Sequence, residues 1–219
     1  MVQIELNPQE LKLAAQEAKY QWKGDEGRLA AWLQSGADIS VPGLKEWLTK
    51  WKLARANPVN LRGALARELQ KAREELRDTD ARDLPKAVEE LSTALKKNKA
   101  SRTRQTSLAS KFVFSLFPGS IPPYDQFGQQ GLGYVFGDDI EAHDYSQYFK
   151  LFMKFHKALC SNNRAREVIA QHLSENPSGE VIAQHLPENP SYSPQVLQMR
   201  FADKCLMLIG GFDPMRMER

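Results

Sequence analysis

Apolar residues in this chain recur at three- and four-residue steps, and proline or glycine interrupts the pattern at helix-length intervals. Such a period builds amphipathic helices and is incompatible with the two-residue alternation of a half-buried strand. Asn7-Pro8 reads as an N-cap followed by a first-turn proline, with Gly24 closing that helix. Asp25 is predicted to cap a second helix carrying Leu29, Ala30, Trp32 and Leu33, stopped at Gly36. Pro42 starts a third, with Leu44, Trp47, Leu48 and Trp51 at helical spacing, before Asn57-Pro58. Leu61, Leu65, Leu69, Ala72 and Leu76 mark a long helix, and Arg67, Glu68, Lys71, Arg73, Glu74 and Glu75 crowd its outer face. Behind Asp83 and Pro85, Leu84, Val88, Leu91 and Leu95 form one stripe. Tyr145, Tyr148, Phe149, Phe152, His156 and Leu159 make a buried aromatic face. A last helix runs from Ser193-Pro194 to Ile209 along Val196, Leu197, Phe201, Cys205 and Leu208. The expected fold is therefore all-α, a multi-helix domain of about eight to ten helices. One exception is allowed. Gly128, Gly131, Gly133 and Gly137 predict a flexible region, with a turn or a short strand pair near 132–136.

The 219 residues divide into an N-terminal helical part, 1–100, and a C-terminal helical part, 101–219, read as one continuous globular unit. No apolar run approaches a membrane span, so no membrane contact is expected. Residues 1–16 lack a basic segment leading into an apolar one, which argues against a secretory signal and for the cytoplasm. Cys160 and Cys205 have no metal-ligand spacing. Asp138, Asp139, Glu141, His143 and Asp144 cluster before the aromatic helix, where the helix dipole favours acids without any ion. Neither metal nor cofactor is expected.

From Leu91 to Tyr124 there is no acidic residue, while Lys96, Lys97, Lys99, Arg102, Arg104 and Lys111 fall in that interval. A local basic patch of this kind points to an anionic partner, and nucleic acid is the candidate. The basic run leads into a helix predicted over 106–117, in which Ser107 and Lys111 share a face. Pro118-Gly119 breaks it, and Pro122-Pro123 stiffens the approach to Tyr124 and Asp125.

A lysine among Phe112, Phe114, Leu116 and Phe117 loses hydration, which favours its neutral amine. A neutral amine can attack a sugar or carbonyl carbon and form a Schiff base. A carboxylate held by a stiff turn can orient water or stabilise a developing cation. Lys111 and Asp125 are thus the candidate catalytic pair, with Ser107, Ser110 and Tyr124 supporting. Structural roles compete: Lys111 can snorkel to solvent and Asp125 can cap the next helix. A serine–lysine dyad of S-x-x-K spacing is excluded, because Leu108 occupies the serine position.

The residues Ser107, Ala109-Ser110-Lys111, Phe117-Pro118, Pro122 and Tyr124-Asp125 resemble an S-x-A-S-K…P…P-x-Y-D signature of a poorly characterised group of helical prokaryotic proteins. The closing RFADKCLMLIGG, with Arg200 and Asp203, resembles the last helix of that group. The group is distantly similar to helix-hairpin-helix DNA glycosylases. The resemblance implies that Lys111 matches their lysine and Asp125 their catalytic aspartate. It departs from them in two ways. RQTSLAS carries no glycine before the lysine, and the interval from Lys111 to Asp125 is shorter.

Two other readings stand beside a nucleic-acid-binding protein with base-excision-type activity. One is a non-enzymatic helical interaction module with a protein partner in a defence or regulatory system. The other is a helical ribonuclease using Arg166 and His172, which have R-x5-H spacing. His172 sits in a tandem duplication whose other copy carries His185. EVIAQHLSENPSG at 167–179 is repeated at 180–192 with changes only at Ser174/Pro187 and Gly179/Tyr192. Too short for a solenoid, the duplication is expected at the surface, with His172 and His185 outside any essential site.

Overall fold

The computed structural model describes residues 6–137, 140–141, 143–174 and 194–212. All regular structure in them is helical, and they contain no strand. The helices are α1 (Pro8–Gln21), α2 (Gly27–Gln34), α3 (Val41–Lys50), α4 (Arg62–Leu76), α5 (Leu84–Lys97), α6 (Thr106–Leu116), α7 (Gln126–Phe136), α8 (Tyr145–Ser161), α9 (Asn163–Ser174) and α10 (Pro194–Ile209). The all-α expectation holds.

Local chemistry explains most boundaries. Asn7 and Glu10 form a reciprocal capping box: Asn7 Oδ1 accepts from Glu10 N–H, and Asn7 N–H donates to the Glu10 carboxylate. Ser40 caps α3 by accepting from Gly43 N–H. Asp25, however, does not cap α2. The chain runs from α1 into α2 through a π-helical turn, Trp22–Glu26, in which Gly24 alone leaves helical geometry (ψ −126°). Asp25 instead pairs with Lys50 and Arg28. The last residue of the π turn, Glu26, accepts from the buried Arg200 guanidinium (2.7 Å).

The glycine-rich stretch is the second correction. It forms neither a strand nor a turn but helix α7, ended by Gly137 in the left-handed conformation (φ 69°). Its glycines serve packing: a Cβ on Gly131 would lie 2.2 Å from the Leu206 carbonyl oxygen, so only glycine lets α7 cross α10 so closely. Arg73 is a third. Read as an outer-face cation, it is buried and donates to the carbonyls of Leu33, Gly36 and Ala37, closing the end of α2.

Helix α6 is the centre of the packing. Leu108, Ala109, Phe112, Val113 and Phe114 are fully enclosed. Trp22 and Trp51 meet Phe114 edge-on, and Trp47 meets Phe112 the same way. Helices α2 and α5 flank α6, while α10 lies against α1 and α7.

Candidate functional site

The route from α6 to Asp125 is fastened at three consecutive residues. Ser110 Oγ donates to the Ser107 carbonyl (3.1 Å) and accepts from Tyr124 N–H (2.9 Å). From α8, the Tyr145 hydroxyl donates to the Pro122 carbonyl (2.6 Å) and the Tyr148 hydroxyl to that of Pro123 (3.0 Å). Every exchangeable backbone group of a buried loop needs a partner, and here three side chains supply them. Burial pushes the Tyr145 and Tyr148 hydroxyls far above the ordinary tyrosine range, so both remain donors. Tyr124 is tied further through its own hydroxyl, which donates to Gln129 Oε1 (3.0 Å). Asp125 leaves this clamp extended and accepts Gly128 N–H at 2.8 Å, capping α7. Ser110 and Tyr124 therefore act on the placement of Asp125, and Ser107 contributes its main-chain carbonyl.

Lys111 does not extend freely into solvent. Its Nζ donates to the Trp51 carbonyl (3.5 Å) and lies 5.7 Å from the centre of the Trp51 ring. Burial lowers its pKa. The Asp125 carboxylate is the strongest of the charges opposing that shift, followed by Asp203, whereas Arg200 reinforces it. The sequence-predicted pair is thus electrostatically coupled across the α6–α7 connection.

Beside Lys111 the structure brings in residues to which the sequence assigned no role. Arg200 and Asp203 of α10 are each 1% exposed. Arg200 Nη1 donates to Asp203 Oδ2 (2.6 Å), and Nη2 to Glu26 Oε1 (2.7 Å) and Gln21 Oε1 (3.3 Å). Its guanidinium lies 5.6 Å from the centre of the Trp51 ring and 5.5 Å from that of Phe114. Lys204 Nζ stands 3.8 Å from Asp203 Oδ2 and bonds Met207 Sδ. Asp203 Oδ1, Glu26 Oε2, Arg200 Nε and Trp51 Nε1 are buried without a protein partner. Burial pushes the Asp203 carboxyl up to about 6, against the pull of Arg200 and Lys204. Burial and the neighbouring Arg200 hold Lys204 below the usual lysine range. One signal for this cluster was in the sequence: an arginine, an aspartate and a lysine at 200, 203 and 204 in the otherwise largely apolar run RFADKCLMLIGG.

The basic segment runs from the last turn of α5, which carries Lys96 and Lys97, into the connection to α6. Lys96, Lys97, Lys99 and Arg102 are exposed, while Arg104 is partly buried with its Nε unpartnered. Among the described residues none of the four exposed cations forms an ion pair. Elsewhere on the surface Arg28, Lys50, Lys71, Arg82 and Lys86 each face a carboxylate, while the exposed Lys45, Arg55, Arg67 and Arg77 form no ion pair among the described residues, so what sets the segment apart is the clustering of its cations. Lys99 occupies the left-handed region (φ 56°), and Ser101 N–H closes the turn onto the Leu95 carbonyl (3.0 Å).

Other sequence candidates are not drawn into this site. Arg166 is exposed on α9; the His172 side chain, His185 and all of the duplication beyond Ser174 lie outside the described residues. Asp138 and Asp139 lie outside them too, and Asp144 caps α8 by accepting Gln147 N–H. Among the described residues no cluster of three or more His, Cys, Asp or Glu could hold a metal, and no helix is long and apolar enough to cross a membrane. No protein-family model, curated protein or solved structure matches the chain.

Proposed function

We propose that the chain is a helical nucleic-acid-binding protein with a DNA-glycosylase-like core and a base-excision-type activity. The end of α5 and its connection to α6 hold the phosphate backbone, and Lys111 and Asp125 act on the sugar. The observation that carries the reading is the set of exposed, unpaired cations Lys96, Lys97, Lys99 and Arg102 beside the lysine-bearing helix. Uncompensated cations clustered on one segment suit phosphates, whose binding releases counterions. The chemistry proposed is that of Lys111, an enclosed amine on α6, held at the Trp51 carbonyl, whose burial favours the neutral form. Its neutral amine attacks C1′ of the deoxyribose, and the C1′–N bond pair departs with the base, which takes up a proton. The amine loses its protons as the sugar ring opens to a Schiff base, and water hydrolyses that imine to free Lys111. The Asp125 carboxylate stabilises the cationic character at C1′.

The test is anisotropy of a labelled duplex and a labelled single strand at two salt concentrations. Replacing Lys96, Lys97, Lys99 and Arg102 by Gln is expected to cut affinity at least about tenfold and to flatten the salt dependence by roughly one power of salt for each phosphate no longer neutralised. In parallel, borohydride is expected to trap an adduct with abasic DNA in the native chain and none in Lys111→Ala. Unchanged affinity and slope would remove nucleic acid from the reading. Binding without trapping would remove the enzyme and leave a binding module.

A further inference from the structure

Lys111 and Arg200 approach one tryptophan. The Lys111 Nζ is 5.7 Å and the Arg200 guanidinium carbon 5.6 Å from the centre of the Trp51 ring. Arg200 is fixed in place, because Asp203 and Glu26 hold its two terminal nitrogens at 2.6 and 2.7 Å and its guanidinium carbon stands 5.5 Å from the centre of the Phe114 ring. The pair is enclosed, with both partners 1% exposed, so water does little to screen it. We infer that the Arg200–Asp203 pair of α10 is a positioning device for Lys111, its two opposite charges setting the charge carried by the Lys111 amine beside the Trp51 ring. The inference rests on the reading of Lys111 as a nucleophile.

The charges that act on Lys111, and the carbonyl it donates to, come from four elements. Asp125 is at the head of α7, Asp203 and Arg200 are on α10, Glu26 is in the π turn, and the Trp51 carbonyl follows α3. Asp125, Asp203 and Glu26 favour the ammonium form, whereas burial and Arg200 favour the amine. Arg200 and Asp203 thus push in opposite directions although they form one ion pair. A cationic neighbour is a recognised way of activating a lysine. The carboxylates that hold Arg200 in place also limit how far the amine is deprotonated.

This opposition separates a positioning role from a merely structural one. A pair that only stabilised the fold would, when broken from either side, loosen the core and move Lys111 the same way, towards an ordinary solvated lysine. The inference demands opposite movements. Lys111 labelling by cyanate, read by mass spectrometry of the intact folded chain over a series of pH values, measures the neutral amine directly and needs no nucleic acid. Asp203→Asn removes a charge that favours the ammonium form, and labelling at neutral pH is expected to rise about tenfold. Arg200→Met removes a charge that favours the amine, and labelling is expected to fall by about the same factor. Arg200→Lys keeps the charge and is expected to stay within about threefold of the native chain. Circular dichroism of each variant confirms the fold, and if Arg200→Met fails to fold, the Asp203→Asn and Arg200→Lys pair decides alone. Equal or same-direction changes in the two neutralising variants would overturn the inference. Opposite changes in a chain that traps no DNA would keep the device and discard the proposed substrate.

Discussion

Along the end of α5 and its connection to α6, Lys96, Lys97, Lys99 and Arg102 face solvent and form no ion pair among the described residues, whereas Arg200 and Lys204 are enclosed in the core with Glu26 and Asp203. The physics of the two regions differs. An exposed cation keeps its hydration, costs the fold almost nothing and acts on partners over about a Debye length. A buried cation has given up hydration worth several kcal/mol and persists only where fixed carboxylates replace it. The first kind of charge is free to meet an incoming anion. The second creates a constant field for whatever side chain lies beside it, which here is Lys111.

The largest effect that would break this contrast is on stability. Arg200→Ala removes the guanidinium that both Asp203 and the partly buried Glu26 bind, leaving Asp203 only Lys204 at 3.8 Å, and urea unfolding is expected to show a loss of about 3–5 kcal/mol. A loss below about 1 kcal/mol would mean that water already reaches these carboxylates, and the two regions would not differ in kind.

A smaller effect comes from Asp203 itself, and its sign is the reverse of the usual carboxylate. Its pKa is raised from 3.8 to about 6, mainly by burial. Between those values the folded chain holds a proton that the unfolded chain has released, so the stability it contributes is present at low pH and lost as pH rises through about 6. Asp203→Asn lacks the titration. Comparing the two chains by urea unfolding cancels carboxylates common to both. From about pH 4 to about pH 7 the native chain is expected to lose on the order of 1–3 kcal/mol relative to the variant. A constant difference would mean that Arg200 holds Asp203 ionised throughout.

The helices were legible because their apolar stripes and caps are local. Asn7-Pro8, Pro85 and the stripe of α5 carry their own signals within a few residues. The misreadings have non-local causes. Gly131 looked like a flexible residue because nothing nearby reveals that the Leu206 backbone crosses over it. Arg73 looked like a solvated cation because the α2 carbonyls it closes lie more than 30 residues away. The same limit applies to the site. Lys111 and Asp125 stood out through a basic run and a stiff turn, yet the clamp between them needs Tyr145 and Tyr148, which read only as aromatic core. Arg200 and Glu26 are 174 residues apart, and only the fold joins them.

The smallest effect sharpens the contrast at the exposed end, because it separates charge from backbone at a single residue. Lys99 sits at φ 56°, a conformation that costs a residue with a Cβ about 1 kcal/mol and costs glycine nothing. A turn selected only for folding would carry glycine there, as helix ends commonly do. Lys99→Gly is therefore expected to stabilise the chain by no more than about 0.6 kcal/mol, since the extra freedom glycine gives the unfolded state offsets much of the strain relieved. The same change removes one unpaired cation, so nucleic-acid affinity is expected to fall a few-fold and the salt dependence to lose roughly one power. Urea unfolding and the anisotropy assay on one preparation read both quantities. Stability up with affinity down means that the lysine is kept at the expense of the fold for the sake of its charge. Stability down with affinity unchanged would make Lys99 a structural residue, and the turn would then be an ordinary helix end carrying solvated charge.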